Sequence, residues 1–226
     1  MIVVLPPAAD DTVFAALPTQ GVTAYLMLRA STQLCPGETV LVHGAAGGVG
    51  NVAVQLAKSM GAGLVIGTAS TEEKRAFVRG LGADAAIDYQ QADWPNAVLQ
   101  KTDGRGVDII LESIGGDVFE QNFQCLATFG RYIVFGSTRG PGAPFEPRRL
   151  MQKSQSMAGI YLPVFFAKPQ LIREAMSFLV SRALDGTLKT HVDRTLPLNR
   201  ASEAHQLLEE RRVTGAIVLD PRAASH

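Results

Sequence analysis

The sequence predicts an α/β fold: a doubly wound parallel sheet with helices on both faces, followed by a C-terminal strand–helix–strand tail. Two observations carry this. Short apolar runs alternate with longer segments of helical periodicity along most of the 226 residues. The runs are apolar at nearly every position, which suits strands covered on both faces.

Taken in order, a helix over residues 23–31 enters the first strand, 39–43, through the turn Cys35-Pro36-Gly37-Glu38. The pattern then predicts helix 48–60, strand 64–68, helix 71–81, strand 85–88, helix 94–100, strand 107–111, helix 117–126 and strand 131–135. Pro95 suits a first helical turn. Thr71 reads as an N-cap without the full capping box, because Lys74 stands where Glu or Gln would complete it. Residues 139–149 (RGPGAPFEPRR) form a surface loop, and a further strand follows at 156–160. Helix 169–184 sets Leu171, Ala175, Phe178, Leu179 and Ala183 on one face. The tail reads strand 191–196, helix 201–211 and strand 216–219.

Composition narrows the class. The chain is 46% hydrophobic and 19% charged, as a globular protein is. Its length fits one large domain or one domain with an appendage. Lys plus Arg and Asp plus Glu both number 21, so there is no electrostatic case for nucleic acid or an anionic membrane. No run approaches the roughly 20 apolar residues of a membrane span. The N-terminus lacks the basic start and long apolar core of a signal peptide, so a cytoplasmic address is expected. Cys35 and Cys125 are far apart and suggest neither a disulfide framework nor a zinc site.

The central signal is VLVHGAAGGVGNVAVQLAKSMGA, in which a strand runs into Ala45-Ala46-Gly47-Gly48-Val49-Gly50 and on into a helix. The spacing is that of a dinucleotide fingerprint, with Ala45, Gly47 and Gly50 in the three glycine positions. A small residue permits the tight turn, Gly47 lets the backbone approach a pyrophosphate, and Gly50 lets helix and strand pack closely. The helix N-terminus offers unpaired N–H groups and partial positive charge to the phosphates. Such turns also occur as plain packing devices; the strand before, the helix after and the second strand–helix unit favour a Rossmann-type nucleotide site.

The end of the second strand distinguishes NAD from NADP, since an acid there holds the ribose 2′-hydroxyl. Residues 64–75 read LVIGTASTEEKR, with Thr68 and Ser70 where the acid would stand and Lys74 one turn into the helix. Hydroxyls and an ammonium suit a 2′-phosphate, so NADPH is the expected cofactor. Glu72 and Glu73 fit the first helical turn, pointing to solvent. Lys74 and Arg75 as an ordinary solvated helix face stays open.

Beyond this turn, the stretches LPTQGVTAYLML, GTASTEEKRAFVRGLGAD, AAIDY, GVDIILESIGG, GRYIVFGS and LLEERRVTGAIVLDP stand in order along nearly the whole chain. Together they resemble the cofactor-binding half of the medium-chain dehydrogenase/reductase superfamily, on its zinc-free quinone oxidoreductase side. That likeness implies a Rossmann dinucleotide-binding domain over 1–190 and, over 191–226, a C-terminal remnant of a mostly β catalytic domain. The resemblance implies that Thr23 approaches the nicotinamide, and that Ala46, Gly47, Gly48 and Val49 form the turn that meets the pyrophosphate. Thr68, Ser70, Lys74 and Tyr89 would surround the adenosine 2′-position. Ser113 and Ile114 would line the adenine and ribose region, and Phe135, Gly136 and Ser137 would flank the nicotinamide. Each has a duller account. Tyr89 can be a half-buried aromatic, Ser113–Gly116 only a turn, Phe135 core, and His43 a hydrogen-bonded strand-end residue rather than an acid or base. The C-terminal ends of parallel strands are where ligands bind in such sheets, which favours the functional reading.

Two departures stand out. The family begins with a separate, mostly β domain that supplies much of the substrate pocket, whereas this chain starts at the junction with Leu5-Pro6-Pro7. The tail carries Val192, Leu196, Leu207, Leu208, Ile217 and Val218, which need cover, so a fragment, or a short form completed by another chain, is expected. Related enoyl reductases of fatty acid and polyketide synthases carry a Lys after the fifth strand and an acid beyond it; here Ser137 and Pro163 stand there. The leading expectation is an NADPH-dependent reductase of quinones or α,β-unsaturated carbonyl compounds, with no catalytic acid legible and no metal ligands. The rivals are an enoyl reductase of acyl thioesters and a non-catalytic NADPH-binding module. Ser137, Tyr161, Phe165 and Phe166 suit a small hydrophobic carbonyl substrate. Strand 131–135 would form an exposed apolar edge, so a homodimer on that edge is expected.

Overall fold

A computed structural model describes residues 10–223; the Leu5-Pro6-Pro7 lead-in lies outside them. Asp10 caps α1 (Asp11–Ala15) by accepting a hydrogen bond from the Thr12 amide at 2.9 Å. The helical path continues through a wide-turn stretch, Leu17–Gly21, into α2 (Val22–Tyr25) and a second wide-turn stretch, Leu26–Ser31. Pro18 has no N–H and its ring would clash with the preceding turn of a regular α-helix; widened turns relieve both. Helical structure therefore begins well before residue 23, where periodicity alone starts it.

From here the expected alternation holds: β1 (Thr39–Val42), α3 (Gly48–Ser59), β2 (Leu64–Thr68), α4 (Glu72–Gly80), β3 (Ala85–Ile87), α5 (Trp94–Lys101), β4 (Val107–Glu112), α6 (Gly116–Cys125) and β5 (Leu126–Val134). A 3₁₀ turn at Pro147–Lys153 leads into β6 (Ser156–Gly159), α7 (Leu162–Phe165) and α8 (Pro169–Leu184). The six strands form one parallel sheet in the order β3-β2-β1-β4-β5-β6. Successive residues of β1 serve opposite faces: Val40 and Val42 pack with Leu26, Val54 and Leu179, while Leu41 packs with Trp94, Val98 and Phe123. Two apolar faces are why the strands read as continuous hydrophobic runs.

β5 and β6 depart from expectation. β5 leaves α6 directly at Leu126, five residues before its expected start, with a register shift opposite Val107 and Ile109 and Phe129 in the left-handed region at φ 62°. The expected dimer edge is also corrected: β6 pairs with β5 from Arg131 to Val134, so 131–135 is an interior strand. The free edge is β6, where Ser156, Ala158 and Gly159 are exposed.

The tail consists of β7 (Val192–Pro197), a 3₁₀ turn at Leu198–Arg200, α9 (Ala201–Glu209) and β8 (Ala216–Asp220). β7 and β8 pair only with each other, in parallel, over a small core of Leu196, Ala204, Leu207 and Val213. Cover for the tail is partial: Val192, Ile217 and Val218 are half-buried and Leu208 is exposed. Gln55 exchanges two 2.9 Å hydrogen bonds with Lys189, and the Gly215 amide donates to the Ala46 carbonyl at 2.7 Å. The tail is thereby tied to the main body at the glycine turn. No helix among the described residues is long and apolar enough to cross a membrane.

Candidate functional site

The strand order reverses between β1 and β4, and the crevice outside the carboxyl ends of these strands is the expected ligand position in such a sheet. A cleft of about 630 Å³ opens there. Its floor is the turn between β1 and α3. Gly44 takes a left-handed φ of 58°, the Gly47 amide closes back on the Gly44 carbonyl at 2.8 Å, and α3 starts at Gly48. A Cβ on Gly50 would lie 2.2 Å from the Gly44 oxygen, so α3 and the turn meet at a distance only glycine permits. No side chain caps α3, and Gly48, Val49 and Gly50 line the cleft. The donors of that helix start are therefore free to meet an anion. Asn51, itself buried, braces the turn by donating to the Gly47 and Gly48 carbonyls at 2.8 and 2.9 Å.

Of the residues expected from sequence, Ala46, Gly47, Gly48, Val49, Thr68, Ser70, Lys74, Tyr89, Ser113, Ile114 and Phe135 all line this one cleft. Thr23, Gly136 and Ser137 are not among its walls. Thr23 is buried and donates its hydroxyl to the Thr19 carbonyl at 2.7 Å, a bond that the helix around it supplies. Gly136 packs against Ser113, and the Ser137 hydroxyl is tied to the Gly140 carbonyl.

Thr68 needs a correction of role. It is fully buried, and its hydroxyl meets His43 Nδ1 at 3.0 Å rather than the cleft. That leaves Ser70 and Lys74 as the polar side chains at the end of β2. The Lys74 amide is capped by Thr71 at 3.3 Å, and its ammonium donates to the Arg211 carbonyl at 2.7 Å. Burial is the main influence lowering the Lys74 pKa; nearby Asp193 opposes it and Arg211 reinforces it. Arg75 is engaged elsewhere, with Glu72 at 3.0 Å and Asp88 at 3.2 Å. The exposed Glu72 also pairs with Arg79 and holds no position in the cleft.

Beneath the cleft lies a polar chain of fully buried side chains. Glu112 accepts the amides of Ile114 and Gly115 on one oxygen and Asn122 Nδ2 on the other, the last at 2.6 Å. Asn122 Nδ2 also meets the Tyr132 hydroxyl at 2.9 Å, so Asn122 Oδ1 is turned to His43 Nε2 at 2.7 Å. An amide oxygen only accepts, hence Nε2 carries a proton. His43 is thus a hydrogen-bonded strand-end residue, and the chain fixes the loop that presents Ser113 and Ile114. Burial raises the Tyr132 phenol well above its ordinary range.

Sequence reasoning missed the far wall, which the tail supplies: Leu208, Glu209, Arg211 and Val213. Arg211 Nη2 reaches the Thr138 carbonyl at 3.3 Å, so the tail bridges from Lys74 on α4 to the loop after β5. The available signal was Gly215, just after Arg211 and Arg212. Its φ is 79° and an added Cβ would strike the His191 carbonyl at 2.2 Å, so it marks a tight docking point. Among the described residues no group of three or more His, Cys, Asp or Glu is arranged to hold a metal ion.

The family model for zinc-binding dehydrogenases matches residues 48–181. A 2-haloacrylate reductase of Burkholderia sp is 34% identical over 223 residues, which is 95% of this chain and 65% of that protein. Among solved structures, a quinone oxidoreductase of Pseudomonas syringae pv. Tomato DC3000 superposes with a TM-score of 0.90 at 33% identity, over 97% of this chain and 67% of that one. The Escherichia coli quinone oxidoreductase complexed with NADPH gives 0.90 at 32% identity, over 97% of this chain and 68% of that one. The chain thus spans about two thirds of the length of these relatives.

Proposed function

The chain belongs to the zinc-binding dehydrogenase family, within the medium-chain dehydrogenase/reductases, and on that premise we propose that it is the cofactor-binding portion of an NADPH-dependent oxidoreductase that reduces a quinone or an α,β-unsaturated carbonyl compound. One observation carries the cofactor assignment: an uncapped glycine turn at the switch point, with Ser70 and Lys74 and no carboxylate lining the end of β2. Dinucleotide geometry fits this cradle, because the Gly47–Gly50 backbone admits close approach of a pyrophosphate and Ser70 with Lys74 offers donors to a 2′-phosphate. NADPH supplies the hydride when bound. The chain's own part is to hold the pyrophosphate on the α3 amides, to orient the adenosine half against Ile114 and Tyr89, and to keep water from the nicotinamide end with Phe135. We assign no proton donor.

The reading takes residues 1–190 as the dinucleotide-binding unit and 191–226 as the C-terminal remnant of a mostly β catalytic domain; the separate β7–β8 pairing supports it. The small hydrophobic substrate is supported by the exposed Tyr161 and Phe166 beside α7. An acyl-thioester substrate is disfavoured because the Ser137 hydroxyl is occupied by Gly140 and Pro163 carries no acid. A homodimer would form on the free edge of β6. Two free thiols, exposed Cys35 and buried Cys125, fit a cytoplasmic site of action.

The test is NADPH oxidation by the chain, alone and joined to a β domain of a relative, against a panel of quinones and enones. Consumption matched to substrate reduction is expected from the joined protein. NADPH binding without turnover of any such substrate would refute the reductase assignment while sparing the cofactor one.

A further inference from the structure

Arg139 stands outside every site residue derived so far. Its Cζ lies over the ring of Tyr89, 5.0 Å from the centroid, and Tyr89 lines the cleft beside Ser70 and Lys74. The two residues come from distant places in the fold, Tyr89 after β3 and Arg139 after β5, with three strands between them in the sheet. The loop that carries Arg139 is laid across that gap and pinned. Its Thr138 amide donates to the Ser113 carbonyl at 3.0 Å, the Arg139 amide to the Ile114 carbonyl at 2.6 Å, and the Gly116 amide returns to the Gly140 carbonyl at 3.1 Å. The guanidinium is thus held by a fixed backbone on one side and an aromatic face on the other, while its residue stays exposed.

We propose that Arg139 is a specificity-determining residue that reads the adenosine 2′-phosphate, a reading that rests on the NADPH assignment above. Lys74 commits one of its three N–H donors to the Arg211 carbonyl, and Arg75 is held by Glu72 and Asp88. A phosphate dianion calls for a second cation, and a planar guanidinium offers paired N–H donors in the geometry phosphate oxygens accept. Stacking on Tyr89 removes much of the rotamer freedom the side chain would otherwise lose on binding. No acidic side chain pairs with Arg139 among the described contacts, so its donors are uncommitted beside Tyr89, which itself lines the cleft.

The test is calorimetric titration of the whole chain with 2′-phospho-ADP-ribose and with ADP-ribose, which need no turnover. Wild-type protein should bind the phosphorylated ligand more tightly. Arg139→Ala should weaken 2′-phospho-ADP-ribose about tenfold or more and leave ADP-ribose nearly unchanged; Arg139→Lys should restore only part. The exposed site predicts an unaltered melting temperature, which guards against misfolding as the cause. Equal weakening of both ligands would mean that Arg139 stacks on adenine, and would overturn the phosphate assignment. An unchanged gap in Arg139→Ala, closed by Lys74→Ala, would refute Arg139 and spare the NADPH reading. No wild-type preference would refute both together.

Discussion

Replacing Gly50 with alanine puts one methyl group where the fold has no room. The added Cβ would stand 2.2 Å from the Gly44 carbonyl oxygen and 2.7 and 2.8 Å from the Ala45 Cα and Gly44 carbonyl carbon. All three are backbone atoms, so no side chain can turn aside. Ordinary contact requires the start of α3 to withdraw from the turn by roughly 1 Å. Overpacking of this kind costs about 1–3 kcal/mol of stability. Binding suffers more, because amides placed to meet a phosphate at hydrogen-bond length would then face it from beyond that length. Losing one such charge-assisted bond is worth about 1.5–3 kcal/mol, or roughly ten- to hundredfold in affinity. Calorimetric titration with NADPH, paired with thermal unfolding, separates the two effects. NADPH binding within threefold of wild type by a folded Gly50→Ala variant would refute the reasoning that this turn is the pyrophosphate site.

Four further outcomes follow from the same geometry. Lys74→Ala should weaken NADPH about tenfold and NADH little, read by the same titration. The pH dependence has a definite sign. The Lys74 pKa in the folded chain lies below the ordinary lysine value, chiefly through burial, so below it the folded state carries the full cost of a desolvated ammonium. That cost is relieved as pH rises from the folded toward the unfolded pKa, where the unfolded chain holds more protons, while NADPH affinity falls over the same window; a melting and binding series across alkaline pH checks both. Glu112→Gln presents an NH₂ to Asn122, forcing Asn122 to flip and His43 to surrender its Nε2 proton; the ¹⁵N spectrum of the His43 imidazole should show the exchange, and an unchanged spectrum would contradict the hydrogen-bond direction assigned here. Gly159→Pro removes a donor from the outward side of β6, since the Ile160 amide already points to Val134 at 2.8 Å; native mass should shift from dimer to monomer.

How far the fold could be read depended on what encodes each part. Strands β1 to β4 and the second half of β5 were legible because both their faces are buried, and the glycine turn because Gly50 answers a steric demand that no other residue meets. The long entry helix was not, because Pro18 and Gly21 signal a break and only widened turns carry the helix past them. Thr68 showed a polar residue at the right strand end but not its orientation, which is set by His43, twenty-five positions away in sequence. Arg139 and Arg211 lay further out of reach: Arg139 reaches Tyr89 and Arg211 lines the cleft through loops pinned to other strands, and neither Gly- and Pro-rich composition nor a pair of arginines before a glycine states where they dock. The tail, expected to await cover from a further domain, supplies one wall of the cleft itself.

The central claim is that this cleft is built for a dinucleotide bearing a 2′-phosphate. Its most direct test is a pair of calorimetric titrations of the purified chain, with NADPH and with NADH under the same conditions. The account predicts one site per chain and NADPH binding at least tenfold tighter than NADH, the share expected of a charge-assisted contact to one phosphate. Equal affinities, or tighter NADH, would contradict it.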